Sequence, residues 1–568
     1  MTLALVVFRL LLSAMVVMAA SIPNVGKRYI SDVLSEGYRN LFDDSMKILD
    51  NNFALPFLWK SPKLSSWYAV GLLARNEGDD VEIANKLIHN IVTKQYTDPS
   101  FVAYGTFLGD YDRPYADGES LWEPEIYDSY DPNNALFVTI AGIIIDHDFA
   151  SLLEPEVLAN LRKAMYMAVV GDGYRVGGES GDNLYPGYSN PWYMRCVSAA
   201  YVGHMYDDAN MTYWAEKWAQ EAVDLFNQYN TLAEFNSGTY EGVTLFALSL
   251  AQYAPDNSTI YKEAPRLLEA IWDQISEIGE TYNPSLNTLS GPWDRTYGFD
   301  MTQYFSVLGS AITGITGKQK SGLRLDPMPN PLDGSNHYTD MAMMPMQAYT
   351  SPYIMSHISS SAKSRFSSLY APHSYTAQSI SPPWDKRARN YTFWLEEGLS
   401  VGGMTFDEKE VGGPSINQPS FSPGVIMWDA GKTGTGAGWI SYYPTNPACE
   451  ILASSTNLTI RYPPTQDWPN GTTSNSIQLS ISTIPNWQLN KGAFEAGTAS
   501  LPAIDITISG NVKERGNMSL SFTGDTINDF QYYNLTYEFE EGLRSDGGVP
   551  ELIVSFQKTE PPTYDLYV

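Results

Sequence analysis

The spacing of apolar residues changes once along this chain, and that change constrains the fold more than any other feature. Up to about residue 375 apolar side chains recur at helical spacing; beyond it they alternate. Helices are predicted over 33–51, 65–75, 81–95, 133–145, 155–170, 191–206, 240–253, 260–278 and 300–316, with one more around Trp214. In the last of these, Trp214, Trp218, Ala222 and Leu225 share a face, while Glu216, Lys217, Glu221 and Asp224 lie elsewhere. Towards the C-terminus, Ile504, Ile506 and Ile508 alternate with Asp505 and Thr507, and Ile477, Leu479 and Ile481 with Gln478, Ser480 and Ser482. Turn signals such as Asn470-Gly471 and Ser509-Gly510 separate such runs. The expected class is α+β and multidomain: an N-terminal (α/α) helical toroid over 29–375, then a C-terminal antiparallel β-sandwich over 376–568. An ordinary helix bundle is the alternative to the toroid. Residues 317–375 show no clean period and are expected to hold late helices and a linker.

The N-terminus sets the expected compartment. Arg9 precedes an apolar run that ends in the small residues Ala19, Ala20 and Ser21, the layout of a cleavable signal peptide over 1–20. Residues 21–28 then read as a short propeptide ending in the dibasic pair Lys27-Arg28. Asn210, Asn257, Asn390, Asn457, Asn470, Asn517 and Asn534 each begin an N-x-[ST] sequon, the pattern of a glycosylated extracellular surface. Two cysteines, Cys196 and Cys449, cannot build a disulfide scaffold, and whether they pair is not legible. Six scattered histidines give no metal-ligand spacing, so no metal and no cofactor are expected. The net charge of −29 repels phosphate backbones and anionic membranes, which argues against nucleic acid and, after signal cleavage, against a membrane. A monomer is expected.

Four polar, aromatic-rich segments are the candidate site. They are Trp122 to Asp128, Asn183 to Tyr193, Glu234 to Gly242 and Ser290 to Asp300. A sugar offers apolar C–H faces and many hydroxyls. Tyr and Trp supply flat apolar area with a polar edge, and Asn, Asp and Arg fix hydroxyls and carboxylates. Trp122, Glu123, Tyr185, Tyr188, Trp192 and Trp293 are therefore candidate sugar contacts.

A helical toroid followed by a β-sandwich resembles the chondroitin/hyaluronan lyases and the heparinase-like lyases. The resemblance implies an Asn that neutralises a uronate carboxylate, a His–Tyr pair that moves protons, and an Arg. Asn183 or Asn190 takes the first place, Asn236 with Tyr240 the second, and Arg295 the last, with Tyr297 nearby. Asn236 stands where the family has His, so Tyr240 has to act as both base and acid. The loop strings also resemble those of uncharacterised secreted fungal proteins. An extracellular polysaccharide or oligosaccharide is the implied partner.

Three other functions fit the same residues. An inverting glycoside hydrolase needs two opposed carboxylates, and Glu234, Glu241, Asp294 and Asp300 are candidates. A small-molecule lyase, isomerase or cyclase would use a closed apolar cavity. A non-catalytic glycan binder would use the aromatics alone.

Overall fold

The computed structural model describes residues 30, 32–116, 123–278, 293–294, 307–317, 338–367, 372–407, 409, 421–430, 437–443, 445–471, 474–483, 488–527, 530–545 and 547–560. Helices of eight residues or more, among the described residues, are α1 (Glu36–Asn52), α2 (Pro62–Arg75), α3 (Asp80–Val92), α4 (Asn133–Asp148), α5 (Pro155–Gly173), α6 (Ser189–Met205), α7 (Ala209–Asn227), α8 (Gly238–Ser249), α9 (Thr259–Ile278), α10 (Val307–Thr316), α11 (Met344–Ser356) and α12 (Ser360–Ser367). Local chemistry sets several of their starts. Ser61 accepts from the Leu64 N–H at the head of α2, and Asp208 accepts from the Asn210 and Met211 N–H groups at the head of α7. Proline opens α2 and α5, where its missing N–H costs nothing.

The helices fall into two kinds. α2, α4, α6, α10 and α11 are buried on almost every side, as is α8 from Glu241 onward, whereas α1, α3, α5, α7 and α9 bury only a stripe. Contacts among the buried kind run α2 to α4, α4 to α6, α6 to α8, α8 to α10, α10 to α11 and back from α11 to α2. The striped helices pack outside them: α3 on α2, α5 on α4, α7 on α6 and α9 on α8. α1 packs on α10 and α11, and the buried Tyr38 hydroxyl donates to the Ala311 carbonyl at 3.1 Å. α11 and α12 occupy the stretch without a clean period. A helix buried on all sides needs no polar face, so α11 carries no stripe to read.

The C-terminal part is antiparallel. Its strands are β1 (His373–Ser379), β2 (Arg389–Glu396), β3 (Leu399–Asp407), β4 (Gly424–Asp429), β5 (Ala437–Tyr443), β6 (Ala448–Ala453), β7 (Asn457–Arg461), β8 (Ser476–Ser482), β9 (Thr498–Leu501), β10 (Ile504–Ser509), β11 (Gly516–Ile527), β12 (Phe530–Phe539) and β13 (Glu551–Lys558). They form one thirteen-stranded sheet, ordered β9-β10-β13-β7-β6-β3-β4-β5-β8-β12-β11, with β2 on the other edge of β3 and β1 beyond β2. β3 is the crease. Its first half pairs with β4, and only Phe406 and Asp407 pair with β6. The two leaves share one apolar core that includes Ile426 and Trp428 on one leaf and Ile451, Leu458 and Ile460 on the other. At Gly403 a side chain would meet the Ile451 carbonyl at 2.6 Å, so glycine lets the leaves close.

Helices and sheet are joined by residues 231–237. Phe235 lies in the sheet's core, 4.9 Å from the Tyr391 ring, and Thr231 donates to the Gln378 carbonyl at 2.6 Å. Cys196 and Cys449 do not pair; one is buried in the helical core and the other in the sheet's core. Among the sequon asparagines, Asn210, Asn257, Asn390, Asn470 and Asn517 are exposed, and Asn457 and Asn534 are half-buried. No helix among the described residues is long and apolar enough to cross a membrane.

Candidate active site

The second and third polar loops meet at the heads of α6 and α8. α6 begins at Ser189, two residues earlier than its apolar pattern suggests, and the Ser189 N–H donates to Glu234 Oε2 at 2.9 Å. The carboxylate thus answers one of the orphan donors of the helix and sits at its positive end. After Glu234 the chain turns through Asn236, which is fully buried with φ +57°. Asn is among the few residues that adopt this left-handed conformation readily. The Ser237 N–H then donates to the Glu234 carbonyl, the Glu241 N–H donates to the Ser237 carbonyl, and α8 begins.

This turn leaves Glu234 and Glu241 close together and almost wholly buried, at 4% and 1% exposure. Burial, and then the charge of Glu234, push the Glu241 carboxyl up to about 8, so it holds a proton at neutral pH. Its Oε2 has no hydrogen-bond partner among the described residues, and neither does the buried Asn190 Nδ2. Tyr188 and Tyr240 are the chain neighbours of Ser189 and Glu241. Their rings meet edge to face with centroids 6.2 Å apart, and both are half-buried. Asn133, at the head of α4, reaches the Tyr188 hydroxyl at 3.5 Å, the long end of a hydrogen bond. A retained carboxyl proton and two phenols carried by neighbouring residues are groups suited to proton transfer.

A second polar cluster, missed by sequence reasoning, stands beside it. Arg175 donates to Asp182 through Nε at 2.8 Å and a terminal nitrogen at 3.0 Å, to Asp172 at 3.1 Å and to Asn133 at 3.0 Å. Arg195 donates to Asp172 at 2.6 Å and lies 4.3 Å from the Trp218 ring centroid. The Tyr127 hydroxyl accepts from Arg175 at 3.1 Å, lies 2.9 Å from Asp182 Oδ1 and contacts the Asn183 amide oxygen. Burial opposes the Asp182 charge, but the Arg175 hydrogen bonds outweigh it and hold the carboxyl below its ordinary range. The cluster ties the first polar loop, through Tyr127, to the second, through Asp182 and Asn183. The sequence signal was Arg175 and Asp182 bracketing the glycine-rich run Gly177 to Gly181.

Other expected site residues are placed as follows. Tyr185 is half-buried against Trp384, and Glu123 is exposed. Trp192 is not on the rim: it is buried in α6 and donates to the Trp218 carbonyl at 3.0 Å, because its position in the helix faces the core. Trp293 and Asp294 form a two-residue ladder with Phe421–Ser422. Trp122, Arg295, Tyr297 and Asp300 lie outside the described residues. Among the described residues, no three His, Cys, Asp or Glu side chains gather in a way that could hold a metal ion.

No curated protein matches this sequence. Among solved structures, heparinase III is similar at 9% identity, with 94% of this chain and 86% of that chain covered and a TM-score of 0.42. The endoglucanase CelQ from Clostridium thermocellum, complexed with cellobiose and cellotriose, is 11% identical over 94% of both chains, with a TM-score of 0.30. A mutant of the heparan sulfate lyase HepC from Pedobacter heparinus is 8% identical over 90% of this chain and 92% of that chain, with a TM-score of 0.22. Residues 371–557 match a second family of unknown function, DUF8770. Residues 39–352, the helical part and more than half of the chain, match the model of the domain of unknown function DUF8769, and the chain belongs to that family.

Proposed function

We propose that the protein is a secreted, glycosylated polysaccharide lyase, that its circuit of helices is an (α/α) toroid, and that its substrate contains uronate. The observation that carries this reading is the meeting of Tyr188 and Tyr240, drawn from two polar loops far apart in the chain, at the heads of α6 and α8. In a β-elimination a base removes the proton from the carbon next to the uronate carboxylate. The electron pair left behind forms a carbon–carbon double bond as the bond to the leaving sugar oxygen breaks, and that oxygen takes up a proton. Tyr240, entering the step as its phenolate, is the group assigned to remove the proton and pass it to the leaving oxygen, as its side chain is only half-buried. Asn190, whose buried amide nitrogen has no partner among the described residues, is the group assigned to the uronate carboxylate. Glu241, kept neutral, adds no negative charge opposite an anionic substrate. Secretion rests on the apolar N-terminal run and on the exposure of five sequon asparagines.

A second reading, glycoside hydrolysis, is favoured by one observation: a carboxyl held protonated to about 8 is what a general acid requires. Against it, Glu234 is engaged with the head of α6 and is poorly placed to activate water. The test is a panel of uronate-containing and neutral polysaccharides, followed by ultraviolet absorbance and by new reducing ends. A lyase raises both on uronate substrates. A rise in reducing ends alone overturns the lyase in favour of the hydrolase, and no product from any glycan overturns both.

A further inference from the structure

The turn between β1 and β2 has no part in the chemistry above, yet it exposes the residues of a binding surface. It reads Ser381-Pro382-Pro383-Trp384-Asp385-Lys386-Arg387. Trp384 is 44% exposed, and Lys386 and Arg387 are exposed beside it. The turn itself is held firmly. The Asp385 N–H donates to the Ser381 carbonyl at 3.0 Å, the Ser381 N–H donates to Asp385 Oδ2 at 2.8 Å, and the buried Arg389 donates to the same carboxylate at 2.9 Å. Packing explains Asp385 and Arg389, and it leaves Trp384 partly exposed next to two exposed cations.

The turn also reaches the helical part. Trp384 meets Tyr185 edge to face, with centroids 5.1 Å apart, and a side chain at Gly187 would run into Ser381 Oγ at 2.7 Å. Tyr185 stands three residues before Tyr188, a separation of at most about 11 Å between their Cα atoms. The turn therefore adjoins the candidate site. Indole and phenol offer apolar faces to sugar C–H groups, and the two cations offer charge to a carboxylate or sulfate. Two adjacent exposed cations are a feature that the acidic excess of the chain, net charge −29, does not lead one to expect.

We propose that Trp384, Tyr185, Lys386 and Arg387 form a subsite for an anionic sugar unit, through which the sheet takes a direct part in substrate binding. The proposal rests on the lyase reading and names the substrate class of the same site: an acidic glycan long enough to extend past the reacting unit. Affinity electrophoresis of the full chain through gels containing heparan sulfate, polygalacturonate or hydroxyethylcellulose tests it without needing turnover. At least one anionic gel is expected to retard the protein, and the neutral gel much less. Trp384→Ala weakens the retardation about tenfold, Trp384→Phe restores most of it, and Lys386→Gln with Arg387→Gln removes most of its salt dependence. Tyr240→Phe is retarded like the native chain, which separates binding from chemistry. Equal retardation of Trp384→Ala and the native protein overturns the proposal, as does stronger retardation by hydroxyethylcellulose or none by any gel. Binding through Trp384 without cleavage of any glycan would instead overturn the lyase and leave this subsite standing.

Discussion

Two buried carboxylate clusters touch α6, and they are built in opposite ways. At one, Asp172 and Asp182 are matched by Arg175 and Arg195, every partner lies within hydrogen-bond distance, and Asp182 titrates below its ordinary range. At the other, Glu241 is buried beside Glu234, with one carboxyl oxygen unpartnered among the described residues and its titration pushed up to about 8. The first cluster gains stability from its charges and holds two loops in place. The second keeps a proton that water would take away near neutrality, at a cost to the folded state. The matched cluster is a scaffold and the unmatched one is where chemistry is expected.

The sharpest break would come from Tyr240→Phe. Turnover on a cleaved glycan is expected to fall about 10²- to 10⁴-fold while the melting temperature stays put; unchanged turnover removes Tyr240 from the mechanism. Next in size is Arg195→Ala, which leaves the buried Asp172 with Arg175 as its remaining cation and should cost about 3 kcal/mol in denaturant unfolding. A loss under about 1 kcal/mol would mean that the matched cluster is not the scaffold described. Glu241→Gln tests the other side. Because the folded-state value of Glu241 lies above the ordinary 4.5, the native protein holds its proton more tightly than the unfolded chain does. The contribution of this one group is then greatest below pH 4.5 and falls as pH rises towards about 8, by up to about 1.4 kcal/mol per pH unit. Glu241→Gln should lack that slope and be the more stable form at pH 8, and equal slopes in unfolding free energy would refute the raised titration. The smallest effect belongs to Tyr127→Phe, about 1 kcal/mol of stability from one lost hydroxyl in the matched cluster, with turnover little changed.

Much of the architecture was legible, because periodicity is a local property. The helical segments predicted up to residue 278 correspond to α1 through α9, with ends shifted by a few residues. α11 and α12 were not legible, as burial on all sides erases the stripe in α11 and α12 has only eight residues. The loops around Tyr188 and Tyr240 were picked out by composition, and the tertiary structure brings them together. Trp192 was misread as a rim aromatic because a loop string does not reveal that α6 already begins at Ser189. Arg175, Asp172 and Arg195 were missed because ion pairs between α5, α6 and the following loop leave no spacing rule in the chain.

By itself, the sequence determined where helical spacing gives way to strand spacing, the excess of acidic residues, the apolar N-terminal run and the stock of polar aromatic loops. Each is set by side-chain type and by neighbours a few residues away. Only the tertiary structure decided which of several carboxyls is buried with no cation beside it among the described residues, that Trp384 of the sheet stands against Tyr185 of the helical part, and that Cys196 and Cys449 lie in different cores. Burial and electrostatic environment depend on groups far apart in the chain, and they come into being only when the packed elements exclude water.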